Sequence, residues 1–354
     1  MKIKSITLQN YKQFVEPITF SFTNPDGEVN EKTLLIGNNG TGKSSILQAI
    51  VALVASAVRE NFTPESLDWA GYEYRFLQTG NLPLRIEIEI LLSEEEIDFT
   101  KQYFKQLKEK GINLGRMPSD KKTVILYLDY NNKKVLAKEG LAAFNQLTGY
   151  QYAKNLAQYT PNKALLFENV GNIYWYNEQR NLSNFSYFLE DELPQIDFIR
   201  SFLASAYYFH QDIETGKRTL KEGEFDFYNK FQSLYASIFP DRKLVGATPR
   251  FDIYEKSKVP NFYLSVGKNQ YEISGMSAGE RAVFPILMDL ARWTPNNSIF
   301  IIDESELHLH PPLQQAFVRT LLNVGKNNQF IFTTHSNSVS SMFSTSENEI
   351  IRLK

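Results

Sequence analysis

The stretch GNNGTGKS, Gly37 to Ser44, is the most informative part of this sequence. It fits the pattern G-x-x-x-x-G-K-[ST] at every fixed position, and its glycines allow the backbone to curl so that N–H groups converge on phosphate oxygens. The preceding run, Lys32 to Gly37, is typical of a short buried strand, and the following run, Ser44 to Val58, of an apolar helix. Strand, glycine loop and helix together predict a phosphate-binding loop.

Each part of this loop has a chemical role in binding a nucleoside triphosphate, ATP or GTP. The helix that begins near Lys43 directs its positive dipole end at the phosphates. Lys43 is expected to reach the β- and γ-phosphates, and the Ser44 hydroxyl to ligate Mg²⁺. The predicted nucleotide-binding residues of the loop are Gly37, Asn38, Asn39, Gly40, Thr41, Gly42, Lys43, Ser44 and Ser45.

An apolar run late in the chain supplies an acidic half of the same site. SIFIIDE, Ser298 to Glu304, is typical of a buried strand and ends in two adjacent carboxylates. Asp303 is expected to hold Mg²⁺ through its water shell. Glu304 is placed to polarise an attacking water, so the sequence predicts an ATPase.

The composition says more about the general class of protein and its location in the cell than about its function. The 354 residues are 42% hydrophobic and 14% aromatic, enough for a core, and the net charge of −2 provides no overall basic field for nucleic acid. Cysteine is absent, which excludes a disulfide framework and a thiol nucleophile. The start is typical of a strand rather than a secretory signal, and the most apolar stretch, Ala49 to Val58, is shorter than a membrane span. We therefore expect a cytoplasmic protein with no membrane partner.

The ends of the chain predict one discontinuous nucleotide-binding lobe, at residues 1–92 and 245–354. Residues 93–244 are predicted to form an inserted lobe. From about residue 138 this insertion is rich in aromatic residues at helical spacing, which indicates helices that pack on one another. Strands are expected at Ile3–Leu8, Ile18–Phe22, Thr33–Ile36, Leu84–Leu92 and Lys122–Tyr130.

A third motif precedes the carboxylate strand. In SGMSAGERAVFPILMDLARW, Ser274 to Trp293, a Ser-x-Gly-Glu turn opens an apolar helix. Alone, this turn is a common helix N-cap. Its distance to SIFIIDE fits one helix and a short loop, and a later strand, NQFIFTTHS, ends at His335. The order along the chain is phosphate loop, signature turn, acidic strand and strand-end histidine.

That order, with these residues, resembles the ABC-type ATPases, and specifically their non-transporter SMC/RecF/OLD-like group. The resemblance covers about residues 1–60 and 235–354. It implies an α/β fold: a P-loop NTPase with an ABC-type head, a mixed central sheet flanked by helices, and a mainly helical inserted lobe. In the first stretch, Lys12 is a further candidate for nucleotide contact. The similar stretches are ITLQNYKQF (Ile6–Phe14), SIFPDRKL (Ser237–Leu244) and DESELHLHP (Asp303–Pro311).

In that family two protomers enclose two ATP molecules between them. The resemblance implies that Ser277, Gly279 and Glu280 of one subunit cap the γ-phosphate bound to the other. It also implies that Glu304 is the catalytic base and His335 the γ-phosphate sensor. ATP and Mg²⁺ are the expected cofactors, and an ATP-linked homodimer or higher oligomer is the expected assembly.

Some features depart from the family or stay open. The glutamine that couples the metal to the helical lobe could be Gln78, Gln146 or Gln179. His308 and His310 could be read as a metal pair, but no further ligands at suitable spacing follow, and a dimer-interface role is favoured. A Toprim nuclease, as in the OLD group, does not fit after the histidine strand, and no coiled-coil arm is visible.

Three classes of function compete. The leading hypothesis is an ATP-dependent dimerising switch in DNA repair or anti-phage defence, which acts on nucleic acid or commands a nuclease or toxin effector in trans. An ATPase subunit of a membrane transporter is the first alternative, although Glu280 stands where transporters usually have glutamine. A P-loop phosphotransferase is the second alternative, although Glu304 beside Asp303 favours water as the acceptor.

Basic residues cluster in the predicted insertion rather than near the phosphate loop. A solvated charged face is the commoner meaning of such a cluster, and contact with a nucleic-acid backbone is the alternative. The cluster consists of Lys105, Lys108, Lys110, Arg116, Lys121 and Lys122.

Overall fold

The structure, a computed structural model, describes residues 1–78, 80, 82–160, 163–179, 195–250, 259–293 and 295–354. Within it the chain divides into two compact units. Unit 1 consists of Met1–Asn177, Pro295–Ser305 and Gly325–Lys354. Unit 2 consists of Glu178–Thr294 and Glu306–Val324.

The secondary structure follows the predicted elements closely near the motifs. The strands are Lys2–Gln9 (β1), Ile18–Ser21 (β2), Lys32–Ile36 (β3), Arg85–Leu91 (β4), Thr123–Asp129 (β5), Lys134–Ala137 (β6), Ile173–Tyr176 (β7), Arg242–Thr248 (β8), Asn261–Val266 (β9), Asn269–Glu272 (β10), Ile299–Ile302 (β11), Gln329–Thr333 (β12) and Ile350–Arg352 (β13). The helices are Lys43–Val58 (α1), Glu94–Glu109 (α2), Leu141–Phe144 (α3), Gly149–Leu156 (α4), Lys163–Glu168 (α5), Gln195–Glu214 (α6), Phe227–Ile238 (α7), Ala278–Trp293 (α8), Pro311–Leu322 (α9) and Asn337–Ser340 (α10).

A parallel sheet with the strand order β13-β3-β12-β11-β7 forms the core of unit 1. Its central strands are buried along their whole length, as expected when a parallel sheet is covered on both faces. Aromatic side chains stack across three strands: the Phe300 ring lies 5.0 Å from that of Tyr174 and 4.8 Å from that of Phe330. This ladder favours the observed register, because a slip of any one strand by one residue would move its ring to the other face of the sheet.

A second, antiparallel sheet of unit 1 has the order β2-β1-β4-β5-β6. After the exposed Arg85, β4 alternates buried and half-buried residues, as expected for a strand with one face on the core. α2 follows and begins with a capping box, in which Ser93 and Glu96 satisfy each other's backbone N–H groups.

Unit 2 combines α6 to α9 with the small antiparallel sheet β10-β9-β8. Its core is aromatic: the Phe284 ring of α8 packs edge-on against Phe231 of α7 at 4.9 Å and against Tyr235 at 6.0 Å. The Phe202 ring of α6 packs edge-on against Phe227 of α7 at 4.9 Å, so the aromatic residues at helical spacing are packing faces of α6 and α7, as the sequence indicates.

One strand differs from the sequence-based expectation. β7 is a strand of the core sheet within a segment expected to be mostly helical, because the short run IYWY carries no period by which sequence separates strand from helix. The first segment of unit 1 runs to Asn177, and another strand in the predicted insertion, β5, pairs with β4. The division into a nucleotide-binding lobe at residues 1–92 and 245–354 and an inserted lobe at residues 93–244 stays a prediction.

Candidate active site

The carboxyl ends of the parallel strands bring motifs from separate parts of the chain to one edge of the core sheet. β3 leads into the phosphate loop, β11 into Asp303, and β12 into Thr334 and His335. β12 lies between β3 and β11. At the usual strand spacing of about 4.8 Å, the ends of β3 and β11 are therefore about 10 Å apart. This edge of unit 1 holds both halves of the predicted site.

Glycine geometry shapes the phosphate loop. Gly40 has a φ of 83° and Gly42 a φ of 99°, which other residues rarely adopt. A Cβ on Gly40 would meet nothing within 4 Å, so the tip of the loop has open space beside it. Gly42 is the N-cap of α1, whose first turn contains no acidic residue. An open loop at an acid-free helix N-terminus fits a phosphate group.

The rest of the loop closes on itself. Asn38 and Asn39 are exposed, and the Thr41 hydroxyl donates to the backbone oxygen of Asn38 at 2.8 Å. A Cβ on Gly37 would lie 2.6 Å from Oγ1 of Thr41 and 2.9 Å from the backbone oxygen of Leu353. Glycine at position 37 is therefore required by packing as well as by the motif.

The first residues of α1 have different surroundings. The Lys43 ammonium donates to the backbone oxygens of Gly37 at 2.9 Å and Asn38 at 3.1 Å, so it lies over the loop. Ser44 is half-buried, and among the described residues its hydroxyl has no hydrogen-bond partner. The Ser45 hydroxyl donates to Oε1 of Gln13 at 3.2 Å. Lys43 and Ser44 thus fit a triphosphate and its metal, whereas Ser45 is engaged by the N-terminal turn.

That turn, residues 10–15, supports the phosphate loop from the side. A Cβ on Gly42 would overlap Nε2 of Gln13 and Cζ of Phe14. The Tyr11 hydroxyl donates to the backbone oxygen of Ser45 at 3.1 Å. The resemblance in ITLQNYKQF therefore has a physical basis, since the turn packs directly on the loop.

Lys12, the further candidate for nucleotide contact, is held within this unit. Its ammonium donates to the backbone oxygen of Gly71 at 2.8 Å and to Oε1 of Gln48. Burial lowers the pKa of Lys12 to about 8. A contact between Lys12 and nucleotide stays a prediction.

Thr333, the last residue of β12, links the two acidic residues. Its hydroxyl donates to Oδ1 of Asp303 and accepts a hydrogen bond of 2.7 Å from the backbone N–H of Glu304. Asp303 is buried, and Glu304 has a φ of 46°, a left-handed conformation that turns the chain sharply after β11. Hydroxyl and carboxylate oxygens are ligand types that Mg²⁺ prefers. That Ser44 and Asp303 hold Mg²⁺ stays a prediction.

Thr333 is the residue that sequence reasoning missed. The only signal in the sequence is a pair of hydroxyl residues in FTTHS, directly before the strand-end histidine. His335 itself is exposed at the same sheet edge. Its role as a sensor of the γ-phosphate stays a prediction.

The signature turn lies in unit 2, at the start of α8. Ser277 is exposed, and its backbone N–H and hydroxyl both donate to Oε2 of Glu280 at 2.8 Å. Glu280 returns its own N–H to Oγ of Ser277 at 3.3 Å, which completes a capping box. A Cβ on Gly279 would lie 2.7 Å from the backbone oxygen of His308, so only glycine allows this approach. Glu280 is thus engaged within its own unit.

The three candidate glutamines and the histidine pair have distinct surroundings. Gln78 donates to the backbone oxygen of Leu82 at 3.1 Å, and Gln146 is buried and accepts from Ser119 at 2.6 Å. Gln179 follows β7, the neighbour of β11 in the core sheet. Within the described ranges no group of three or more histidine, aspartate or glutamate side chains could hold a metal ion.

A nucleotide loop after β3 and paired carboxylates after β11, on one edge of a parallel sheet, define a P-loop ATPase with an ABC-type head. The chain belongs to the AAA ATPase domain family, whose model matches residues 1–243. A second AAA domain model matches residues 160–341. The chain is an ATPase, as the motifs predict.

The chain is similar in sequence to bacterial proteins and in fold to a solved structure. The "Retron Vc95 probable ATPase" of Vibrio cholerae serotype O1 biovar El Tor is 24% identical, over 99% of this chain and 73% of its own length. The Septu protein PtuA of Bacillus mycoides (strain KBAB4) is 22% identical, over 94% of this chain and 38% of its own length. The Smc head bound to the C-winged helix domain of ScpA matches with a TM-score of 0.54 at 15% identity, over 99% of this chain and 94% of that one. These findings confirm the predicted α/β fold and the SMC/RecF/OLD-like resemblance.

Among the described residues, no helix has both the length and the apolar character needed to cross a membrane. The cytoplasmic location stays a prediction.

Proposed function

We propose that the chain is an ATP-dependent dimerising switch of anti-phage defence that controls an effector or nucleic acid in trans. The observation that carries the proposal is the division of the site. Lys43 and Asp303 belong to unit 1, whereas Ser277 lies exposed at the N-terminus of α8 in unit 2. A second protomer would supply the signature turn to the nucleotide held by the first. The retron ATPase and the Septu protein among the relatives support the defence setting rather than DNA repair.

Each residue of the site has a role in this proposal. Lys43 and the loop N–H groups bind the triphosphate, and Ser44 and Asp303 hold Mg²⁺, which offsets phosphate charge when bound. Glu304 accepts a proton from the attacking water, and His335 contacts the γ-phosphate. We assign the glutamine that couples the metal to the helical lobe to Gln179, because the strand before it, β7, is the neighbour of β11 in the core sheet.

Dimerisation by ATP tests this proposal directly. A ligand that both protomers share tightens their association by linkage. Glu304→Gln protein should bind ATP without hydrolysing it and should sediment as a dimer with ATP but not with ADP. In a mixture, Lys43→Ala and Ser277→Arg proteins, each inactive alone, should recover some hydrolysis through one intact composite site. If Glu304→Gln protein stays monomeric at saturating ATP, the switch model is wrong for this chain.

Nucleic acid is the partner that the surface of α2 favours. Lys101, Lys105 and Lys108 lie on one stripe of the helix, and Lys101 pairs with Asp120, which brings the loop of residues 111–122 alongside. Lys122 pairs with Glu94, and the Lys110 ammonium lies 4.7 Å from the centre of the Tyr159 ring. Within the described residues, the exposed side chains without an ion-pair partner on this face are Lys105, Lys108, Arg116 and Lys121. The lysines outnumber the exposed acids Asp98 and Glu109 toward the end of α2, and with the exposed Tyr159 ring they are the surface that we propose for a phosphate backbone.

A further inference from the structure

Glu280 is a buried carboxylate that joins the signature turn to three other elements of unit 2. It is only 2% exposed. Its Oε1 accepts from the hydroxyl of Tyr235 on α7 at 2.6 Å and from that of Tyr271 on β10. Its Oε2 accepts from Ser277 and forms an ion pair with Arg242 on β8. One carboxylate therefore connects α7, β8 and β10 to the start of α8.

The carboxylate stays charged despite its burial. Burial by itself would raise the pKa of Glu280, but hydrogen bonds from Arg242, Tyr235 and Tyr271 and from the Ser277 backbone hold it at about 2. The same contact with Glu280, added to burial, raises the pKa of Tyr235 and of Tyr271. All these groups thus keep their hydrogen-bonding states throughout the neutral range.

A second ion pair anchors the chain just before the signature turn. Arg200 of α6 binds Glu272 through two hydrogen bonds, of 2.8 Å from Nε and 2.9 Å from Nη2. Glu272 also accepts from the backbone N–H of Ser274 at 2.8 Å. Tyr271 is therefore held by its own hydrogen bond to Glu280, and the next residue, Glu272, is held by Arg200. These contacts fix the backbone where it enters the signature turn.

We propose that Tyr235, Tyr271 and Arg242 are positioning residues that act through Glu280 to hold the Ser277 turn in the geometry that a second protomer's nucleotide requires. The inference rests on the proposed dimerising function. The two tyrosine hydroxyls fix the rotation of the carboxylate, so that Oε2 faces the N–H and hydroxyl of Ser277. Without them Oε1 loses its partners and the rotation of the carboxylate is no longer fixed, so the exposed end of α8 loses its fixed shape.

The test compares two single hydroxyl deletions in the Glu304→Gln background. Tyr271→Phe removes a bond to Glu280, whereas Tyr263→Phe on β9 is a matched control, because among the described residues the Tyr263 hydroxyl has no hydrogen-bond partner. We expect Tyr271→Phe to weaken ATP-dependent dimerisation about tenfold by sedimentation, as the loss of a hydrogen bond to a charged group would. The affinity of the monomer for ATP should not change, since the phosphate loop lies in unit 1.

Two further measurements separate positioning from folding. Tyr271→Phe takes one donor from a buried carboxylate, so its melting temperature should fall below that of Tyr263→Phe, but its circular dichroism at the assay temperature should match that of Tyr263→Phe. Tyr235→Phe, on α7, should show the same dimerisation defect as Tyr271→Phe. If Glu304→Gln protein dimerises with ATP, and adding Tyr271→Phe or Tyr235→Phe does not weaken that dimerisation relative to adding Tyr263→Phe, the positioning role is wrong. The proposed switch would still stand. If Glu304→Gln protein fails to dimerise, the switch fails and this inference fails with it.

Discussion

The Thr333 hydroxyl donates its hydrogen to Oδ1 of Asp303 and accepts the backbone N–H of Glu304. One side chain on β12 therefore orients the two acidic residues that follow β11. Because Asp303 is buried, an unpartnered oxygen there would be costly, and the hydroxyl fixes which oxygen faces the site. β12, which lies between β3 and β11, thus contributes a hydrogen-bonding side chain to the site as well as a strand to the sheet.

Replacing Thr333 should slow hydrolysis more than it weakens ATP binding. Thr333→Val keeps the shape but removes a donor and an acceptor, and we expect turnover at saturating Mg-ATP to fall at least about tenfold. Thr333→Ser retains the hydroxyl and should keep most of the activity. Equal steady-state turnover in the valine and serine variants would show that the hydroxyl does not orient the acids.

Lys43→Ala should abolish ATP binding, measured by titration calorimetry. The lysine charge and the loop N–H groups act on one anion, and no other cation of the loop can replace it. Lys134→Ala, an exposed lysine on β6, is the matched control and should bind as the unchanged protein does. Unaltered affinity in Lys43→Ala would remove the basis of the site.

Glu304→Gln should lose hydrolysis and retain ATP, because a carboxamide cannot accept a proton from water. Turnover should fall by about two orders of magnitude or more, in line with the effect of removing a general base. Glu347→Gln, an exposed glutamate near the end of the chain, should be fully active. A Glu304→Gln protein with normal phosphate release would place the base elsewhere.

Gly42→Ala should damage both the phosphate loop and the stability of unit 1. The left-handed φ of 99° and the close approach of the Phe14 ring both oppose a methyl group. We expect a loss of about 1–3 kcal/mol in the free energy of unfolding, together with weaker ATP binding. Gly40→Ala has a similar φ but open space, so it should cost less in a denaturant titration.

Charge reversal on α2 tests nucleic acid as the partner. Affinity should fall steeply with salt, and Lys105→Glu with Lys108→Glu should reduce the slope of log affinity against log salt by about 2 for duplex DNA. Lys217→Glu with Lys268→Glu is the control, since it changes the net charge equally at exposed positions of unit 2. A salt-independent affinity, or no binding with ATP present, would leave a protein effector as the partner.

The parts of the site that could be read from sequence are those carried by short contiguous patterns. GNNGTGKS predicts its loop because glycine conformations and the lysine at a helix start are local properties. SIFIIDE predicts a buried strand that ends in acids for the same reason. The strand β7 could not be read in this way, because IYWY becomes a strand only by pairing with β11, a partner far along the chain.

Short contiguous stretches of sequence determine the phosphate loop, the carboxylate pair and the N-cap of α8. They also determine the class of protein, an ATPase. Local sequence does not predict that β12 lies between β3 and β11, which brings Thr333 to Asp303. It also does not predict that Tyr235, Arg242 and Tyr271 all contact Glu280. These contacts link residues separated widely in sequence, and they form because burial forces each polar group to find a partner across the fold.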